Sequence, residues 1–176
     1  MNEFERKVIR HDDGALYSRD LEIIQINIGL KCNQSCSHCH LSASPARVEM
    51  MDRETMDLVV RAARKVGPKL IDVTGGSPEI HPHFRPFIDS LSEVGSELQV
   101  RTNLTILLEP EFSDLPAFLS ERGISLVASL PCYLEENVDS QRGRGSYGRS
   151  IEALKKLNSF GYGLDDRLPV NLVYNP

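Results

Sequence analysis

No run of apolar residues in this 176-residue chain approaches the roughly 20 needed to cross a bilayer as a helix. Positive charge is also in deficit: 20 Lys and Arg face 25 Asp and Glu, for a net charge of -5. That balance offers no general attraction to nucleic acid or to an anionic membrane surface. The first residues, Met1 to Lys7, hold no apolar export segment. Cysteine is scarce, and three of the four sit in one short loop, poorly arranged for a disulfide scaffold. These deficits predict a cytoplasmic protein that engages neither nucleic acid nor membrane. What is present suffices for a core: 40% of residues are apolar, in a length typical of one domain.

The clustered cysteines are Cys32, Cys36 and Cys39, in the run KCNQSCSHCH from Lys31 to His40. Thiolates are soft ligands for zinc, copper(I) or iron-sulfur clusters. Three from one loop can hold three irons of a four-iron cubane and leave the fourth without a protein ligand. An open iron implies chemistry rather than electron storage alone. Two other readings stay open at this point. Cys36, Cys39 and His40 spell the Cys-x-x-Cys-His of c-type haem attachment, which belongs to exported chains. The cysteines with His38 or His40 can also close a zinc site, in which case the chain is a zinc-stabilised, non-enzymatic binding module.

The Cys-x-x-x-Cys-x-x-Cys spacing resembles the defining motif of the radical S-adenosylmethionine superfamily. The resemblance implies a 4Fe-4S cluster on Cys32, Cys36 and Cys39, with the amino and carboxylate groups of S-adenosylmethionine chelating the open iron. It further implies reductive cleavage of that cofactor to a 5′-deoxyadenosyl radical. His38 stands where the superfamily usually carries an aromatic residue near the adenine.

Along the chain, strand-like runs alternate with segments of helical period. Leu21 to Ile28 reads as the first strand, and Met56, Val59, Val60, Ala63 and Val66 as a helix behind an Asp52 cap, ended by Gly67-Pro68. Leu70 to Thr74 reads as the second strand; Phe84 to Val94 follows as a helix closed by Gly95. Leu98 to Thr102 is a third strand, Leu115 to Glu121 a short helix, and Ile124 to Ser129 a fourth strand. Ile151, Leu154, Leu157 and Phe160 mark a fourth helix, and Val170 to Tyr174 a fifth strand. This alternation predicts an α/β fold with a parallel sheet and outer helices. The resemblance implies a partial, TIM-like barrel of six strand-helix units, so the chain is expected to be truncated after strand five. Residues 1–20 are then an N-terminal extension and 21–176 the core.

In a parallel strand-helix fold the active site lies in loops after the C-terminal ends of the strands. The loop after strand one carries the cysteines. The next carries Gly75-Gly76-Ser77-Pro78, whose glycines let backbone approach a ligand closely. That run resembles the Gly-Gly-Glu-Pro motif whose backbone receives the cofactor's amino group, with Ser77 in place of the glutamate. Asn103 follows strand three and Ser129 ends strand four. Both match places where the superfamily sets small polar side chains on the ribose and carboxylate, and both have the needed donors and acceptors.

From Leu21 to Pro176 the chain also resembles a narrower group, the arsenosugar-biosynthesis radical S-adenosylmethionine proteins with a cysteine-rich C-terminal region. The runs that carry this are Cys32 to His40, Thr74 to Glu79 with His83-Phe84-Arg85, Asn103 to Pro110, Leu130 to Asp139, and Asn171 to Pro176. The activity implied is coupling of the adenosyl group to a methylated trivalent arsenical. The alternative inside the superfamily is a maturase acting on a peptide or another small molecule. An electron donor such as flavodoxin or ferredoxin is implied as a partner.

Cys132, just past strand four, is the remaining thiol. It suits soft trivalent arsenic and is a candidate catalytic group; the alternative is a part-buried cysteine behaving as a small hydrophobe. Gln141 to Gly145 reads as a mobile basic loop, with anion binding by its arginines as the other option. His81 and His83 flank Pro82 without a carboxylate in register, a poor metal site. Glu135-Glu136 reads as a solvated face.

Overall fold

The computed structural model describes residues 1–16 and 20–174. Residues 17–19 of the N-terminal extension, and Asn175 and Pro176 at the end of one quoted run, lie outside the described residues. Five strands form one sheet in the order β1-β2-β3-β4-β5: Ile23–Asn27, Leu70–Thr74, Glu97–Thr102, Ser125–Ser129 and Val170–Val173. Every neighbouring pair is parallel. Sequential order with parallel neighbours is the winding of a strand-helix barrel rather than of a doubly wound sheet.

The connecting helices are α2 (Arg53–Val66), α3 (Phe84–Ser92), α4 (Leu115–Glu121), α5 (Glu135–Arg142) and α6 (Ser146–Asn158), preceded by α1 (Glu3–His11). Helix α2 begins where Asp52 accepts the Thr55 N–H at 2.7 Å and ends at Gly67 in the left-handed conformation, as the sequence predicts. Two helices give little to the core. In α1, no residue is buried and a capping box pairs Asn2 with Glu5. In α5 the sequence EENVDSQR buries only Val138 and Arg142.

The strand register sorts side chains onto two faces. Ile26, Val73, Val100 and Leu126 stand in one rank, buried against the helices with Ile88, Leu91, Leu119 and Leu157. Each such side chain contributes about 1.5–3 kcal/mol on burial. The opposite face is the inside of the partial barrel, polar at the middle of β1 to β3 and half-apolar at β4 and β5. Gln25, Asp72 and Gln99 pair across it. Asp72 accepts from Gln25 at 2.7 Å, from Gln99 at 3.0 Å and from Arg101 Nε at 2.8 Å. Burial pushes the Asp72 acid up, and these hydrogen bonds outweigh it and hold the acid below its usual range. Among the described residues, no helix is long and apolar enough to cross a membrane.

Candidate active site

The loop after β1 is held by its own return. Leu30 N–H donates to Glu49 O at 2.9 Å, Cys32 N–H to Ser44 O at 3.1 Å, and Met51 N–H to Ile28 O at 2.9 Å. The segment 44–51 thus closes a strap along residues 28–32. Within it the three cysteines are free thiols that line one cleft of about 420 Å³ at the C-terminal ends of the strands. Gly75, Gly76, Asn103 and Ser129 line the same cleft. Seven residues singled out in the sequence, three as candidate ligands and four as candidate cofactor contacts, thus line one cavity.

The glycine pair has a structural reason beyond access to a ligand. A Cβ on Gly75 would meet Gly29 O at 2.8 Å, and one on Gly76 would press into the Lys31 carbonyl. Gly76 N–H donates to Gly29 O at 3.0 Å and Ser77 N–H to Lys31 O at 2.9 Å. The pair lets the second loop lie directly on the backbone of the cysteine loop.

Ser77 and Pro78 lie behind the cleft, beside a minor cavity that they share with Gly29, Lys31 and His81. Ser77 Oγ is 3.3 Å from Cys32 Sγ. Glu79, two residues on, is buried at 3% exposure, and neither carboxylate oxygen accepts a hydrogen bond of normal length and angle, the Thr102 hydroxyl being a weaker contact. Burial pushes its acid up to about 7, against a weaker opposite pull from the Thr102 hydroxyl. His81 is structural: its Nδ1 accepts the His83 N–H at 3.1 Å, so its Nε2–H donates to Met51 O at 2.8 Å.

Asn103 is a hub. Its amide nitrogen stands 2.7 Å from Asn33 Oδ1, 2.8 Å from Ser77 Oγ and 3.5 Å from Cys32 Sγ; its oxygen accepts from the Thr105 hydroxyl and the Ile106 N–H. Ser129 is engaged by Arg142, which donates to its hydroxyl and, at 2.6 Å, to its carbonyl.

Arg142 corrects the expectation of a mobile loop at 141–145. Gln141 and Arg142 are the last turn of α5, and the Ser37 N–H of the cysteine loop donates to Gln141 O at 2.9 Å. The Arg142 side chain is buried, lines the cleft, and has no carboxylate partner among the described residues. Sequence reasoning weighed it only as an anion binder on a loop; the spacing of Val138 and Arg142 on one helical face was the available signal. Burial raises the Cys36 thiol, and the Arg142 charge opposes that. His38 also lines the cleft, and burial, Arg142 and His40 favour its neutral form.

Cys132 lies outside the residues lining the cleft, although Pro131 and Tyr174 line it. Its sulfur accepts from the Leu134 N–H at 3.5 Å and the Asn137 amide at 3.4 Å, which lower its thiol below the ordinary value.

The donor set fits a thiolate-held cluster. Three thiols from one loop, with a buried cation beside them, face one cavity. Among the described residues no three His, Cys, Asp or Glu side chains converge on the position of a single metal ion.

Comparison with known proteins agrees with the geometry. AlbA of Bacillus subtilis, an antilisterial bacteriocin subtilosin biosynthesis protein, is 26% identical over 132 residues, 74% of this chain and 29% of AlbA. A probable GTP 3′,8-cyclase of Sulfolobus acidocaldarius is 28% identical over 122 residues, 69% of this chain and 39% of the cyclase. The chain thus spans well under half the length of these curated relatives. Streptococcus suis SuiB bound to S-adenosylmethionine superposes with a TM-score of 0.69 at 17% identity, over 95% of this chain and 37% of SuiB. SuiB bound to its precursor peptide SuiA gives 0.70 at 18% identity, over 98% and 38%. At those identities the structures show the shared fold. Residues 26–170 match the Radical SAM superfamily as a whole, and with its cysteine loop and partial barrel the chain belongs to that superfamily of enzymes, whose cofactors are a 4Fe-4S cluster and S-adenosylmethionine.

Proposed function

We propose that this chain forms the core of an enzyme that cleaves S-adenosylmethionine reductively and couples the adenosyl group to a methylated trivalent arsenical. The observation that carries the cleavage chemistry is the opening of three free thiols from one loop onto the cleft lined by Gly75 and Gly76. When bound, the cluster would supply one electron to the cofactor's sulfonium, whose homolysis gives a carbon radical.

The chain's own residues have distinct tasks in this reading. Cys32, Cys36 and Cys39 hold the irons. Gly75 and Gly76 set the second loop against the first and leave backbone facing the cleft. Arg142, fixed on Ser129, places a positive charge where the thiolates and the cofactor carboxylate bring negative charge. A buried guanidinium without a counter-charge costs several kcal/mol, and those anions offset it. Val127, Ser129, Val173 and Tyr174 line the side of the cleft nearest β4 and β5, a half-apolar wall for a small substrate. Flavodoxin or ferredoxin is the proposed electron donor.

Support for the arsenical comes from the long sequence runs resembling arsenosugar-biosynthesis proteins and from the softness match between thiols and trivalent arsenic. A second reading, a maturase of peptides, is favoured by the likeness to AlbA and to SuiB in its peptide complex. Anaerobic incubation of the reduced protein with S-adenosylmethionine separates them. Methionine with 5′-deoxyadenosine is expected without acceptor, and an adenosyl-arsenic product on adding a trivalent methylated arsenical. Cofactor cleavage with no arsenic-containing product would discard the arsenical and leave the maturase.

A further inference from the structure

Four polar side chains, Asn33, Ser77, Asn103 and Thr105, form a hydrogen-bond network beside the Cys32 sulfur. Asn103 Nδ2 has two hydrogens and near acceptors in Asn33 Oδ1 at 2.7 Å and Ser77 Oγ at 2.8 Å. Asn33 Nδ2 donates to Thr105 Oγ1 at 3.1 Å. The Thr105 hydroxyl in turn donates to Asn103 Oδ1 at 3.2 Å, which also receives the Ile106 N–H at 3.1 Å. The single Ser77 proton has two acceptors in reach, Asn33 Oδ1 at 3.1 Å and Cys32 Sγ at 3.3 Å, and an anionic thiolate on iron is the stronger of the two. The Gln34 N–H reaches the same sulfur at 3.4 Å. A free thiol could donate in this contact, but a thiolate bound to iron can only accept.

We infer that Ser77, oriented by Asn103, Asn33 and Thr105, is a positioning residue that aims a hydroxyl hydrogen bond at the Cys32 thiolate and sets the reduction potential of the cluster. The inference rests on the proposed assignment of Cys32 as a cluster ligand. Each electron added to a cluster increases negative charge on its sulfurs, so a donor at sulfur favours the reduced form and raises the potential. Burial strengthens the effect: Ser77 is 3% exposed and Asn103 9%, where water competes little for the bond. It also gives Ser77 a task at the position where the superfamily motif carries glutamate.

The test is the midpoint potential of the reconstituted cluster, read by a redox titration that needs no turnover. Ser77→Ala should lower the reduced-to-oxidised ratio at fixed applied potential by at most about tenfold, reached when reduction strengthens the bond by the whole worth of a hydrogen bond to a charged group, or about 59 mV for a one-electron couple. Ser77→Thr and Ser77→Val share one shape and differ in the hydroxyl. The Thr variant should keep the parent potential and the Val variant should fall with Ala. If Ala does not hold a full cluster, the Thr and Val pair decides. Equal potentials with and without the hydroxyl overturn the inference while leaving the cluster assignment standing. Loss of the cluster from the hydroxyl-free variants alone, or from all three, also overturns it, since the side chain then holds or packs the loop rather than tuning it. A parent protein that takes up no cluster overturns both the assignment and the inference.

Discussion

Arg142 grips Ser129 twice, donating to its carbonyl oxygen at 2.6 Å and to its hydroxyl, so the end of β4 and the last turn of α5 form one rigid corner of the cleft. The same helix end accepts the Ser37 N–H through Gln141 O at 2.9 Å. One helix turn therefore ties the cysteine loop to the far side of the cavity and delivers a buried cation between them.

Replacing Arg142 by Gln should weaken S-adenosylmethionine binding by about 10- to 100-fold, the range expected for losing a hydrogen bond to a charged group. A titration of the cofactor into reconstituted protein measures this. Unchanged affinity would remove Arg142 from the cofactor site.

Gly76 and Gly148 should respond to alanine in opposite directions. A Cβ at Gly76 would press on the Lys31 carbonyl, with Leu30 O at 3.0 Å, whereas one at Gly148, inside α6, meets nothing within 4 Å. Gly76→Ala should cost about 1–3 kcal/mol through overpacking, and Gly148→Ala should stabilise by about 0.5–1 kcal/mol through helix propensity. Thermal denaturation of both variants checks the signs. Equal behaviour would refute the packing account of the glycine pair.

Much of this architecture is legible in the residues, and the parts that are not share a physical cause. Strands β1 to β4 and helices α2, α3, α4 and α6 announce themselves because each buries apolar side chains, β5 by its apolar β-branched run alone, and Asp52 and Gly67 mark the ends of α2 by cap chemistry. Helix α5 buries one apolar side chain, Val138, so the spacing of Val138 and Arg142 is its only periodic signal, and Arg142 reads as part of a mobile basic loop. Helix α1 buries nothing; its signatures are the Asn2 and Glu5 capping box and the helical spacing of Phe4 and Val8. In the site, the cysteine spacing and the glycine pair are local patterns and are readable. The turning of Ser77 onto Cys32, and the isolation of Glu79, depend on contacts between loops far apart in sequence. Cys132 reads as a site residue by its place after β4, yet its side chain turns toward Leu134 and Asn137.

Glu79 predicts a pH dependence of stability. Its acid is raised from an ordinary 4.5 to about 7 by burial, so between those values the folded state holds a proton that the unfolded state releases. Stability from this group is fully present below about pH 4.5 and falls as pH rises through about 7, with a span of roughly 3 kcal/mol. Glu79→Gln should therefore be more stable than the parent at about pH 8 and nearly equal to it at about pH 4. Denaturant melts at the two pH values provide the comparison. A difference that is the same at both would contradict a buried, protonated Glu79.

Iron and acid-labile sulfide content after anaerobic reconstitution tests the central claim most directly. The parent chain and Cys132→Ala should each bind about four irons and four sulfides, while Cys32→Ala, Cys36→Ala and Cys39→Ala should each lose the intact cluster, since these three thiols are the proposed ligands of the irons. One zinc per chain with no sulfide, or equal loss from all four cysteine variants, would contradict it.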